Sequence, residues 1–543
     1  MRESFPIEGF YVLLKSRFGV IPYPVRRHQG IRSLFSFLLW SALFSVVYTQ
    51  SPLYTSNQNT YFLHGLACAE VGYLRQDWLA NTRDLTPLFS ALVCLTRRWL
   101  GFEGLFYGYY TLILGLYFVS LYQLAQQEVD LSSRARRLAF LALFFLLHSA
   151  GWRFALSRTL GNEWTYAFEG GLANQRLLGN VFQPSVFGVF LLSAVTLATQ
   201  QRITLSILSL AIAFWFHPTY LLPATLLYCG IVAENFLRLY RSRENSSPRN
   251  AISQISTWSI LFLLLALPTA LYALSFSFSP ELSPDLAERG RTLLFKVRIP
   301  HHADPTVWFN PPALFQLGLM VAALILTRQR GLRRLVGIPL MLSAIGTFLV
   351  LFTQDTSLAL LFPWRVTTVL VPLSLTLLLG RLVDLLPSET QYPDSPWLVW
   401  IIPSTCTGLI ASALLVGWMR MSLDLQRQRN QPERPLMEFV AKHKQPQDLY
   451  LIPVKMQDFR LATGAPVFVD FKSTPYHPIE VVEWHRRIQI ASDFYQAPSC
   501  EKIPSLAREG ITHVVLQAAL SLRCPNLHTI YSDAKYELLR ITP

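Results

Sequence analysis

Apolar runs recur along the first three-quarters of the chain, at about 34–49, 102–126, 137–152, 184–199, 204–217, 219–238, 255–277, 311–327, 336–352, 363–383 and 397–419. A helix needs about 20 apolar residues to cross a hydrocarbon core of about 30 Å. Most of these runs approach that length, and several stop at 14–17 residues. The run at 85–101 differs, because it holds Pro87 and then Arg97-Arg98. It reads as an interfacial helix or a re-entrant segment. His217-Pro218 falls between two runs and marks a tight break, since proline removes a backbone donor and disfavours helix before it. The pattern predicts a mainly α protein, with a polytopic transmembrane helical bundle of about eleven crossings spanning 34–419.

An odd number of crossings puts the two ends on opposite sides, and basic residues choose which. The segments 1–33, 127–137, 200–203, 238–253, 328–335 and 381–396 carry 19 Lys or Arg in 88 residues. The loops 50–101, 153–183, 278–310 and 353–365 carry 12 in about 130. Lys and Arg favour cytoplasmic loops, so the first set is inner and the second outer. The basic segment 1–33 is then cytoplasmic and the C-terminal region extracytoplasmic.

From about residue 424 the texture changes. A polar linker, Gln426 to Arg434, leads into short apolar runs at Leu449–Ile452, Val467–Val469 and Val514–Leu516, with a last alternating stretch through Tyr536 and Leu538. Helix-like segments at 434–444, 478–494 and 501–509 lie between them. Strands alternating with helices predict a small α/β domain over 424–543, with a sheet of three or four strands.

Composition narrows the class. The chain is 52% hydrophobic and 15% charged, against about 25% charged in soluble domains. That excludes a cytosolic enzyme, a disordered chain and a fibrous repeat. The net charge of +14 raises nucleic-acid binding, but the arginines sit at the ends of apolar runs, as topology and anionic headgroups require. No nucleic-acid partner is expected. Cys68, Cys94, Cys229 and Cys406 are scattered without metal-ligand spacing. Cys500 and Cys524 lie in the polar C-terminal region, where an oxidising compartment would pair them.

The residues with chemistry concentrate in the outer loops. Asp77 and Asp84 are candidates for a general base toward an acceptor hydroxyl, with helix capping as the alternative. Arg158, Arg176, Arg298 and Arg365 are candidates for a phosphate or pyrophosphate, since a guanidinium fork matches phosphate oxygens; lipid headgroups are the alternative. Trp78, Trp164 and Trp308 offer flat faces to a sugar or anchor loops at the interface. The densest constellation is Arg298-Ile299-Pro300-His301-His302-Ala303-Asp304-Pro305. It reads as a substrate or phosphate contact, a hydrogen-bonded structural loop, or a divalent-cation site, in that order. Adjacent histidines diverge in most backbones and rarely chelate one ion. No metal ligands are assigned.

An N-in helix, a long acidic outer loop with an interfacial helix, paired short helices and an outer α/β domain together resemble the GT-C fold membrane glycosyltransferases. The chain is also similar to a group of uncharacterised multi-spanning bacterial proteins with stretches like Asp77-Trp78-Leu79-Ala80, Arg298-Ile299-Pro300-His301-His302 and Glu483-Trp484-His485-Arg486-Arg487. The resemblance implies a bacterial inner-membrane enzyme of the cell envelope. It would take a sugar from a polyprenyl-phosphate carrier and pass it to a glycan or protein acceptor on the outer side, with Asp77 as base and a divalent cation as a possible cofactor. The chain departs from the family pattern just after the first crossing. Asn57-Gln58-Asn59 stands where those enzymes carry an acidic pair, and an amide is no base. The alternatives are a lipid or solute transporter or flippase, and a non-catalytic envelope assembly protein. Crossings nearly free of Asp, Glu and Lys weigh against transport, which places ionisable groups near the bilayer midplane.

Overall fold

The computed structural model describes residues 27–241, 248–387, 392, 394–520 and 522–542. Most of the basic segment 1–33, and parts of the expected inner loops 238–253 and 381–396, lie outside the described residues.

The protein is mainly helical, with one small sheet near its C-terminus. Among the described residues, six helices are long and apolar enough to cross a membrane, or seven if one bent pair is a single span. The helix α1 (Arg27–Tyr48) opens the bundle. Helix α2 (Pro87–Leu95) has nine residues, a rise of about 14 Å that is too short to span. Then come α3 (Leu105–Glu128), α4 (Arg134–His148) and α5 (Ala150–Thr159). The bend of 54° between α4 and α5 falls at Ser149, whose hydroxyl accepts from the backbone N–H of Trp152 and caps the second helix. The helices α6 (Val189–Thr199), α7 (Ile203–Phe216) and α8 (Leu221–Arg241) follow, with α7 ending at His217 before Pro218, as the sequence predicts.

The bundle is completed by α9 (Pro248–Leu274), α10 (Pro311–Leu326), α11 (Arg330–Thr353), α12 (Thr367–Val383) and α13 (Ile402–Arg429). Helix α12 is buried along most of its length. By contrast α9, α11 and α13 turn Leu263, Leu267, Phe348, Phe352, Val416 and Trp418 outward. An apolar belt of that extent is the surface a bilayer covers. Small residues set the closest helix approaches. A Cβ at Gly115 of α3 would lie 1.7 Å from Ser41 Oγ of α1, and one at Gly417 of α13 would lie 2.0 Å from the Val46 carbonyl oxygen.

Ion pairs tie the loops at each end. At one end the short basic loops converge. Asp384 pairs with Arg136, Arg328 and Arg381, and Glu128 accepts from the backbone N–H groups of Arg328 and Gln329. At the other end the four long loops meet the C-terminal region. That region begins with α14 (Arg434–His443) and contains the long helix α15 (Pro478–Gln496). Its sheet has the order β1-β2-β4-β3, built from β1 (Tyr450–Leu451), β2 (His513–Gln517), β3 (Leu527–Ser532) and β4 (Tyr536–Ile541). Strands β1 and β2 are parallel, and β4 runs antiparallel to both β2 and β3. The expected strand at Val467–Val469 is reduced to one bridge, Tyr450 with Val467. Strand β3 was not foreseen, because its Leu-His-Thr-Ile-Tyr-Ser run is mostly exposed and lacks a buried alternation.

Two disulfides stand at this end. Cys500 and Cys524 are joined, with Cα atoms 5.5 Å apart. Cys68 and Cys94 are also joined, linking the first long loop to α2. The second pair was missed because both cysteines sit in apolar sequence that gives no pairing signal.

Candidate functional site

The loop 298–308 is stiffened by short helical turns that begin at Pro300 and Pro305. Asp304 caps the second turn through the N–H and hydroxyl of Thr306. His302 Nδ1 donates to the Ala173 carbonyl at 2.7 Å, and Trp364 Nε1 donates to the His302 carbonyl at 3.0 Å. Arg298 reaches the C-terminal domain, donating from Nε to Thr474 Oγ1 at 2.7 Å and from a terminal nitrogen to the Lys472 carbonyl at 2.6 Å. Three separate loops and one domain are thereby pinned around one space.

That space is a cavity of ≈ 260 Å³. Its wall includes Arg176, Arg298, Arg365 and Lys472, with the imidazoles of His217, His301 and His302, and no Asp or Glu among the described residues. Arg176 lies 3.7 Å over the Tyr166 ring and Arg365 lies 4.7 Å over the Tyr220 ring, so both planes are held by aromatic faces. Arg365 Nε is buried without a hydrogen-bond partner, as are Gln183 Oε1 and Ser185 Oγ of the same wall. Burial, with Arg298 and Arg176 adding like charge, pushes the Lys472 ammonium down to about 8. Burial pushes His302 down to about 3, and His301 also falls below its ordinary value through burial and the charges of Arg298 and Lys472. Both imidazoles are neutral at pH 7. Converging cations, an unmet Arg365 donor and the lack of a carboxylate among the described lining residues give this cavity the chemistry of a candidate anion site.

The structure brings Arg176, Arg298, His301, His302 and Arg365 together as the sequence suggests. Other candidates lie elsewhere. Asp77 is fully buried away from the cavity. Its carboxylate accepts from the N–H groups of Leu79 and Val467, each at 2.9 Å, and from Arg460 Nε at 2.7 Å. Arg460 also pairs with buried Asp470. Oδ2 thus bolts the first loop onto the C-terminal domain, Oδ1 holds the turn at Leu79, and the buried carboxylate is closed to an acceptor hydroxyl. Arg158 is exposed beside Phe154, outside the cavity. Trp78 lies under the Arg487 guanidinium at 4.3 Å, and Trp164 packs on Phe315 at 5.8 Å. Both are packing residues here. Trp308 is buried and lines a neighbouring pocket of ≈ 210 Å³.

Asp84 borders the site. Its Oδ1 accepts from the Thr86 N–H at 2.8 Å, and it lines a small pocket of ≈ 20 Å³ that shares Thr60, Tyr61, Leu85 and Tyr476 with the cationic cavity. Asn57 is itself in the cavity wall. Asn59 donates to Asp458, and Gln58 to the Phe182 carbonyl. For a divalent cation the donor set is unsuitable, since the wall offers cations and neutral groups and no hard anionic oxygen. No group of three His, Cys, Asp or Glu poised for a metal occurs among the described residues.

Lys472 and Tyr476 are cavity-wall residues that sequence reasoning missed. The signal was present in Asp470-Phe471-Lys472-Ser473-Thr474-Pro475-Tyr476, a proline-stiffened polar stretch like that at 298–305. Residues 431–491, which include both, match a domain of unknown function (DUF6798). No curated protein matches the chain.

Proposed function

We propose that the protein is a multi-pass membrane glycosyltransferase that takes a sugar from a polyprenyl-phosphate carrier at its outer face. One observation carries the reading: four cations from four separate segments line one cavity that contains no carboxylate. A lipid phosphate suits that charge, and the apolar belt below suits its tail. Counting the bent pair as one span and adding the four shorter apolar helices gives eleven crossings. The Lys and Arg bias then makes the N-terminus cytoplasmic. Two disulfides at the site's end fit an oxidising, extracytoplasmic compartment, here the outer side of a bacterial inner membrane.

In the reaction, an acceptor hydroxyl oxygen bonds to the anomeric carbon while the bond from that carbon to the phosphate oxygen breaks. The bonding pair leaves with the lipid phosphate, whose charge Arg176, Arg298, Arg365 and Lys472 stabilise. The hydroxyl proton passes to a carboxylate in a flanking pocket, either Asp84 on one side or Glu163 on the other. A second reading, carriage of the lipid phosphate without transfer, is favoured by the lack of a carboxylate in the cavity itself.

The test uses membranes containing the protein, a labelled polyprenyl-phosphate hexose and an envelope glycan acceptor. Transfer that is lost in Arg298→Ala and Arg365→Ala, and reduced about 10²–10⁴-fold in Asp84→Asn or Glu163→Gln, supports the reading. Lipid binding without transfer, unchanged by either carboxylate substitution, replaces it with the second.

A further inference from the structure

The pocket of ≈ 210 Å³ beside the cationic cavity shares Asn174, Gln175 and His301 with it, so the two spaces have a common wall. Its chemistry is different. It holds no Lys or Arg among the described lining residues, and its one carboxylate, Glu163, belongs to an exposed residue. Two side chains in its wall are more than nine-tenths buried and lack partners. Gln175 is 5% exposed, with neither Nε2 nor Oε1 hydrogen-bonded. Trp308 is 4% exposed, with Nε1 unpaired. Buried polar groups are nearly always satisfied, and an unmade bond costs the full desolvation of the group. A wall that offers two donors and an acceptor beside an indole fits a ligand that supplies hydroxyls and an apolar ring face.

We infer that this pocket binds an uncharged, polyhydroxylated ring, the sugar carried by the phosphate in the adjoining cavity. The inference rests on the proposed lipid-phosphate reading and deepens it by naming the class of sugar. Gln175 stands at the junction, where it can reach hydroxyls near the glycosidic oxygen, and Trp308 lies in the pocket wall. An acidic sugar is disfavoured, because Glu163 stands at the pocket and no Lys or Arg lines it among the described residues. An in-line displacement puts the acceptor on the far side of the sugar from the phosphate, which selects Glu163 over Asp84 for the proton.

Gln175→Met tests this, because it keeps length and removes both polar atoms. The purified full-length protein is titrated with three probes: polyprenyl phosphate, polyprenyl-phosphate hexose and polyprenyl-phosphate hexuronate. The parent protein should bind the hexose lipid about tenfold or more tighter than the bare lipid phosphate, as two neutral hydrogen bonds allow, and should bind the hexuronate lipid no better than the bare one. Gln175→Met should lose the hexose preference and bind the hexose lipid and the bare lipid phosphate with equal affinity. Its melting temperature should rise, because an unsatisfied buried amide is gone. A purely structural Gln175 would instead lower the melting temperature and leave the preference intact, which overturns the inference. Equal affinity for the hexose and bare lipids in the parent overturns it as well. Failure of the bare lipid phosphate to bind the parent at all overturns the underlying lipid-phosphate reading instead.

Discussion

Replacing Asp77 by Asn separates a structural carboxylate from a catalytic one. Asp77 joins the first long loop to the C-terminal domain through two hydrogen bonds, from Arg460 Nε at 2.7 Å and the Val467 N–H at 2.9 Å, accepts a third from Leu79 within its own loop, and is wholly buried. An asparagine keeps one acceptor oxygen and turns an NH₂ group toward donors. Arg460, itself 2% exposed, is left with Asp470 as its single charged partner. Removing one member of a buried ion pair costs about 3–5 kcal/mol, which lowers a melting temperature by roughly 10 °C in a unit of this size. The assay is thermal unfolding of the detergent-solubilised protein, followed by tryptophan fluorescence, since Trp484 is buried beside this triad and donates to the Asp470 carbonyl. Transfer by the surviving folded fraction should stay within a few-fold of the parent. An unchanged melting temperature with transfer reduced 10²–10⁴-fold would refute the reasoning and return Asp77 to the role of general base.

Other outcomes follow from the same geometry. Lys472, pushed down to about 8, carries its charge below that pH and loses it as pH rises. Affinity for an inorganic or lipid phosphate should therefore fall as pH passes about 8, and Lys472→Met should flatten that part of the profile in titration calorimetry. Asn57→Asp puts a carboxylate into the cationic wall and should weaken lipid-phosphate binding by about tenfold, read in the same titration. Cys524→Ser opens a loop of 24 residues and should cost about 3 kcal/mol in chemical unfolding monitored by fluorescence; gel mobility shifted by reductant should report both disulfides in the parent.

The bundle was legible because apolar runs and prolines act locally. The break at His217-Pro218 and the bounds of α14 and α15 follow from helix chemistry within a few residues. The cationic wall was partly legible for a related reason. Arginines and histidines in long loops at one end have few other partners, and Arg176, Arg298, His301, His302 and Arg365 do converge. What the sequence hid was pairing across distance. Asp77 looks like a loop carboxylate until Arg460, 383 positions away, is brought against it. Lys472 gains its role only when Arg298 docks on its carbonyl. Gln175 looks like any loop amide, and only the burial of its unpaired atoms singles it out.

The central claim is that the outer cavity holds a phosphate on Arg298, Arg365 and Lys472, and it is tested by one affinity. The full-length protein in lipid nanodiscs is titrated with polyprenyl phosphate, alongside Arg298→Ala, Arg365→Ala and Lys472→Met. Charge-assisted hydrogen bonds contribute about 1.5–3 kcal/mol each, so each substitution should weaken binding by roughly 10–100-fold, and added salt should weaken the parent as well. Affinity that is unchanged in all three variants, or insensitive to salt, would contradict the account.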